Sequence, residues 1–263
     1  MAYIFFFYIY ISLLGLAVGS FLNCIIHRLK TKESFLLKRS YCPYCKHTLG
    51  FWDLIPVLSF FILGGKCRYC KKPISLQYPL VELSTGILFV VVSYYSFQEL
   101  PITGYSFLVT IFRLLVTSFL IIVFVYDLKH YIIPDKVIYP AIFISFLYNF
   151  LYSKSYIMNS ICSALGVALF FLLIFFVSRG KWLGFGDVKL AFLMGLFLGF
   201  PQILVALFSA FFLGAIIGVG LILAGKKKLK SEVPFGPFLV TGTFIALFWS
   251  NCLVDWYLQF FLL

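Results

Sequence analysis

Residues 105–127 read YSFLVTIFRLLVTSFLIIVFVYD, a long apolar run in which Arg113 is the interior charge and Asp127 the closing residue. About 20 apolar residues make one helical crossing of a bilayer, so this stretch predicts a membrane span with a carboxylate at its mouth. The rest of the chain extends that reading. Its 263 residues are 63% hydrophobic, 21% aromatic and 11% charged, more apolar surface than a water-soluble core of this size can enclose. The same criterion places about eight spans, near residues 3–26, 80–97, 105–126, 137–153, 157–178, 188–200, 202–224 and 237–260. The sixth is short for a comfortable crossing. The expected fold class is an all-α polytopic membrane protein. Tyr3 to Ile26 lacks a basic leading region and is read as a retained span rather than a secretory signal.

Orientation follows from lysine and arginine, which accumulate in cytoplasmic loops. Arg28, Lys30, Lys32, Lys38, Arg39, Lys46, Lys66, Arg68, Lys71 and Lys72 separate the first two spans. Lys129 and Lys136 follow the third, Arg179, Lys181 and Lys189 flank the fifth and sixth, and Lys226, Lys227, Lys228 and Lys230 follow the seventh. Only Lys154 and Arg113 fall outside this alternation. The N-terminus is therefore expected outside, and the net charge of +12 is a topology signal that needs no nucleic-acid partner.

Residues 27–79 are the one stretch long and polar enough to fold outside the membrane, on the cytoplasmic side. The expected organisation is a first transmembrane helix (1–26), a cytoplasmic domain (27–79) and a transmembrane domain (80–263). About 50 residues rarely hold a core without a staple. Cys42-Pro43-Tyr44-Cys45 and Cys67-Arg68-Tyr69-Cys70 supply one. Four thiolates in paired C-x-x-C knuckles suit a closed tetrahedral Zn²⁺ site whose binding energy also folds the loop. Disulfides or redox chemistry, favoured less by a reducing cytoplasm, and four unrelated buried cysteines are the alternatives. Cys24, Cys162 and Cys252 lie in apolar spans and read as small core residues.

Sorting the nine acidic residues by location selects three. Glu33, Asp53 and Glu232 fall in polar segments, Glu99 and Asp255 near the outer face, and Glu82 just inside the second span, where it could pair with a basic residue. Asp127, Asp135 and Asp187 lie at cytoplasmic ends of spans. Asp135 follows Pro134 and can cap the next helix. Asp127 ends a span, at the unfavourable pole of the helix dipole, so it reads either as a salt-bridge partner of Lys129 or as a functional group. Asp187 follows Gly184-Phe185-Gly186, glycines that permit close approach of backbone or substrate. Two carboxylates about 4 Å apart repel by about 4 kcal/mol at an effective dielectric of about 20, roughly 3 pKa units. One proton is then shared, leaving a base and an acid near neutral pH. An ion path through Asp127, Asp187 and Arg113 is the competing reading, since intramembrane charges also mark such paths.

Two further patterns are punctuation. Gly195-x-x-x-Gly199 and Gly214-x-x-x-Gly218 permit close helix packing. Pro234-Phe235-Gly236-Pro237 predicts a rigid turn or a plain helix start.

Together and in this order, several stretches resemble one family: Gly19-Ser20-Phe21-Leu22-Asn23 with Arg28-Leu29, both cysteine knuckles, Ile74-Ser75, Tyr78-Pro79-Leu80-Val81-Glu82, Asp127 with Ile133-Pro134-Asp135, Gly184 through Leu190, and Pro234 through Pro237. They resemble the bacterial type IV prepilin peptidases, bifunctional leader peptidases and N-methyltransferases. The resemblance implies that Asp127 and Asp187 are the catalytic pair of a GxGD aspartic endopeptidase, with Gly184 and Gly186 as the motif that supports it. It implies a multi-pass protein of the bacterial cytoplasmic (inner) membrane that cuts a short leader from type IV prepilin, pseudopilin or competence pilin precursors at the cytoplasmic face. It further implies methylation of the new N-terminal residue, often phenylalanine, from S-adenosylmethionine. Gln77 departs from the arginine usual before Tyr-Pro, and Lys30 from a frequent proline.

Overall fold

The computed structural model describes residues 2–31, 39–99, 103–152, 157–225 and 233–261. Lys32, Glu33, Lys38, Lys154, Lys226, Lys227, Lys228, Lys230 and Glu232, which enter the charge argument, lie outside the described residues. The chain divides into two compact units, Met1–Ile122 and Val123–Leu263, with the division falling inside one long helix.

The first unit holds α1 (Ala2–Thr31), a 3-10 turn (Phe51–Asp53), α2 (Leu58–Ile62), α3 (Gln77–Glu99) and the first part of α4 (Gly104–His130). α1 packs against α3, and small residues set the approach. A Cβ at Gly19 would lie 2.7 Å from Glu82 Cα. Near the other end Phe7 meets Phe97 and Phe107 edge-on, with centroids 5.6 and 6.5 Å away.

The second unit continues with the end of α4, α5 (Asp135–Tyr152), α6 (Ile157–Ser178), α7 (Phe185–Leu198), α8 (Gln202–Leu223) and α9 (Gly236–Phe261). α7 is its centre, packed by α5, α6, α8 and α9. Beyond Lys189 it is apolar all round, as an enclosed helix must be, and it buries Val188, Leu190, Ala191, Leu193, Met194 and Leu196. Gly195 packs so closely on Ala164 of α6 that no Cβ fits there. The other three glycines of the two G-x-x-x-G patterns show less: Gly199 and Gly214 meet only ordinary contacts, and Gly218 faces open space. Asn149 of α5 donates to the carbonyl of Leu196 at 2.8 Å, fixing α5 to the far end of α7.

The fold is therefore all-helical, and among the described residues extended pairing is limited to two isolated antiparallel bridges, Tyr41 with Thr48 and Lys66 with Pro73. Among the described residues six helices are long and apolar enough to cross a membrane: α1, α3, α4, α6, α8 and α9. The fourth and sixth expected spans are helices as well, but α5 has 18 residues and α7 only 14. α1 runs five residues beyond its expected apolar end, carrying Arg28 and Lys30 on its last turns. Hydropathy ends where lipid ends, whereas backbone hydrogen bonding continues into water.

Candidate active site

The second unit holds two buried carboxylates at helix ends. Asp127, 4% exposed, lies in the last turn of α4, and Asp187, 8% exposed, in the first turn of α7. The two charges are close enough to repel one another. Both are held by a glycine amide. Gly184 N–H donates to Asp187 Oδ2 at 3.0 Å, with Gly184 as the N-cap of α7. Gly236 N–H donates to Asp127 Oδ2 at 3.0 Å from the first residue of α9.

Of the two glycines of the Gly184 motif, Gly186 shows the close approach expected of them and Gly184 acts through its amide. Gly184 has φ −76° and ψ 152°, ordinary extended backbone. Gly186 is closely packed: a Cβ there would lie 3.0 Å from Ile133 Cβ, so Ile133 would have to give way. The Ile133-Pro134-Asp135 segment thus lies directly against the turn that carries Asp187.

Gly236 is the site residue that the sequence reading missed. The turn at Pro234 to Pro237 has the helix start expected of it, but its role is contact with Asp127. A Cβ at Gly236 would lie 2.6 Å from Asp127 Oδ2. The carboxylate that opposes the dipole of its own helix is met by the favourable N-terminal pole of another. A glycine between two prolines is the available signal, though it names no partner.

Asp135 begins α5, and its carboxylate is engaged by Lys189 Nζ at 2.6 Å rather than by the amides it could cap. Lys189 also lies over the rings of Tyr139 and Phe185, 4.9 and 5.1 Å from their centroids. Among the described residues Glu82 finds no basic partner of the expected kind: it accepts the Val57 N–H at 2.7 Å. Arg113 donates to Ser96 Oγ at 3.2 Å.

In the first unit Cys42, Cys45, Cys67 and Cys70 converge, with all four sulfurs within 4.8 Å of one another. Cys42 and Cys70 Sγ stand 3.8 Å apart, the edge of a tetrahedron with Zn–S bonds of about 2.3 Å and far from the S–S bond of about 2.05 Å in a disulfide. The two knuckles repeat one conformation. Lys46 N–H donates to Cys42 O at 2.9 Å and Lys71 N–H to Cys67 O at 3.0 Å, and Lys46 and Lys71 both take positive φ, 60° and 58°. Burial pushes the Cys42 thiol up, but hydrogen bonds from the amides of Cys45 and Tyr44 and with the side chains of Cys45 and Cys67 together bring it down to about 7. The donor set therefore fits a closed, thiolate-bound Zn²⁺.

Two family models match this chain. The bacterial peptidase A24 N-terminal domain matches residues 13–97, and the type IV leader peptidase family matches residues 114–219. The chain is 30% identical over 287 residues to a "Prepilin leader peptidase/N-methyltransferase" of Legionella pneumophila, covering 99% of this chain and 97% of that protein. A protein of the same description from Aeromonas hydrophila is 31% identical, with 96% and 94% covered. One from Pseudomonas aeruginosa is 30% identical, with 94% and 92% covered. No solved structure matches the chain. With the cysteine-bearing unit and the two-aspartate unit each matched, and with relatives that align end to end, the chain belongs to the type IV leader peptidase family.

Proposed function

We propose that this chain removes the leader from type IV prepilin-like precursors at the cytoplasmic face of the bacterial inner membrane, with Asp127 and Asp187 as its catalytic pair. The observation that carries this reading is that one unit buries two carboxylates, each held by one glycine amide at a helix N-terminus. Like charges confined to one site retain one proton between them. The ionised carboxylate takes a proton from the attacking water, and the protonated one gives its proton to the scissile carbonyl oxygen. The glycine amides hold one oxygen of each group, Asp127 Oδ2 and Asp187 Oδ2, and on this reading the other oxygen of each serves water and substrate. Gly184 and Gly186 support Asp187 by capping and by close packing.

Pilin, pseudopilin and competence pilin precursors form the proposed substrate class, met from a bilayer. The proposed organisation keeps residues 1–26 as the first span, 27–79 as a cytoplasmic zinc-stapled domain and 80–263 as the peptidase domain, with eight spans and the N-terminus outside. Cys42, Cys45, Cys67 and Cys70 would hold the structural Zn²⁺. The names of the relatives also support N-methylation of the newly exposed residue, with S-adenosylmethionine supplying the methyl group.

The test is to incubate the purified full chain with a prepilin and S-adenosylmethionine and to weigh the products. Loss of the leader and one added methyl group are expected. Asp127→Asn and Asp187→Asn should insert normally and leave the precursor intact; wild-type cleavage by either variant would sink the assignment of the pair.

A further inference from the structure

Between the two cysteine knuckles lies a stretch that does not suit water. Phe51, Trp52, Leu58, Phe61 and Ile62 are 77%, 73%, 59%, 68% and 77% exposed. Their density in a loop outside the long helices exceeds what scattered surface apolar residues account for. Within the first unit no described residue covers them.

The depth of this stretch is set by a partly buried bond. Val57, at its middle, donates its N–H to Glu82 Oε2 at 2.7 Å. Glu82 is five residues into α3, which begins at Gln77, so it lies about 7 Å along that membrane helix. The aromatic turn and α2 are thereby tied to the level at which α3 enters the bilayer. The surrounding charge has one sign: Arg39, Lys46, Lys66, Arg68, Lys71 and Lys72 accompany a single acid, Asp53, within residues 39–76. That acid is already paired with Arg68 at 2.7 Å. Tryptophan with phenylalanine, rimmed by lysine and arginine and held at a helix mouth, is the pattern of a segment lying in the headgroup region.

We propose that residues 51–62 form an interfacial seat, with Phe51, Trp52, Phe61 and Ile62 inserted at the boundary between headgroups and acyl chains of an anionic bilayer. The cysteine cluster would then be held against the membrane surface by lipid as well as by the chain. This reading does not depend on the proposed peptidase chemistry.

The experiment places the full chain in phosphatidylcholine–phosphatidylglycerol vesicles whose lipids carry bromine near the carbonyl end of one acyl chain. The Trp52 signal is taken as the difference between the chain and its Trp52→Phe variant. Bromolipid should quench most of that difference, and aqueous acrylamide little of it. Quenching by acrylamide but not by bromolipid overturns the proposal. Protection that arises only when a prepilin is added also overturns it and assigns the surface to a substrate helix. A second measurement needs no substitution: a photoactivatable phospholipid should label peptides within residues 51–62, and absence of label there, with α3 labelled, overturns it as well.

Discussion

The N–H of Val57 is bonded to the buried carboxylate of Glu82 at 2.7 Å, and Val57 holds a left-handed φ of 62° to make that bond. A β-branched residue there is strained, so the carboxylate has to hold the loop in place. Glu82→Ala removes a charged acceptor, an effect of about 1.5–3 kcal/mol, and lets Val57 relax. Hydrogen exchange at residues 55–60 should accelerate about tenfold or more, with Glu82→Gln intermediate. Unchanged exchange in Glu82→Ala would show that the loop is held by other contacts.

Gly236→Ala should cripple leader removal without unfolding the protein. The added methyl group must displace Asp127 Oδ2, which now lies 2.6 Å from where it would be. A misplacement near 1 Å can cost about 100-fold in rate. Gly218→Ala, in open space, should cleave at the normal rate. Equal kcat values for the two variants would remove Gly236 from the site.

Zinc binding should fall as pH drops through neutrality. Metal ligands must be deprotonated, and the first thiolate available, at Cys42, is poised at about 7; acidification returns its proton, and alkaline conditions favour the metal. A competitive zinc chelator should therefore strip the chain more readily at pH 6 than at pH 8, read as zinc per protein. Cys42→Ser and Cys67→Ser should each lose the metal and expose residues 39–76 to protease.

Lys189 and Asp135 form a close ion pair, but the Asp135 side chain is 59% exposed. Solvent screening limits such a pair to about 0–1 kcal/mol. Lys189→Met should lower thermal stability only slightly, while cleavage falls further if the pair orients the turn bearing Asp187. Exchanging the two residues, Asp135→Lys with Lys189→Asp, should restore part of that rate; no recovery would assign the loss to packing on Tyr139 and Phe185.

Most helices were legible because the bilayer imposes one criterion on all of them, and the C-x-x-C spacing left the cysteines few other arrangements. Asp127 and Asp187 were legible as candidates because carboxylates are rare among so many apolar residues. Their partners were not. An amide from Gly236 carries no side-chain signature and acts across 109 residues. Lys189 reads as topology until its contact with Asp135 is seen. Glu82 asks for a basic residue on charge alone, and a strained backbone amide answers. Hydropathy also cannot tell α7, enclosed by neighbouring helices, from a helix facing lipid.

The tie between Asp127 and Gly236 also bears on biogenesis. The two lie at opposite ends of the second unit's sequence, and α4 must enter the membrane well before the ribosome has made α9. Until α9 arrives, Asp127 has neither its amide partner nor the favourable helix pole that offsets its position. If the two aspartates are the catalytic pair proposed above, a partly synthesised chain carries both without a finished site, and proteolytic competence would begin only when α9 docks.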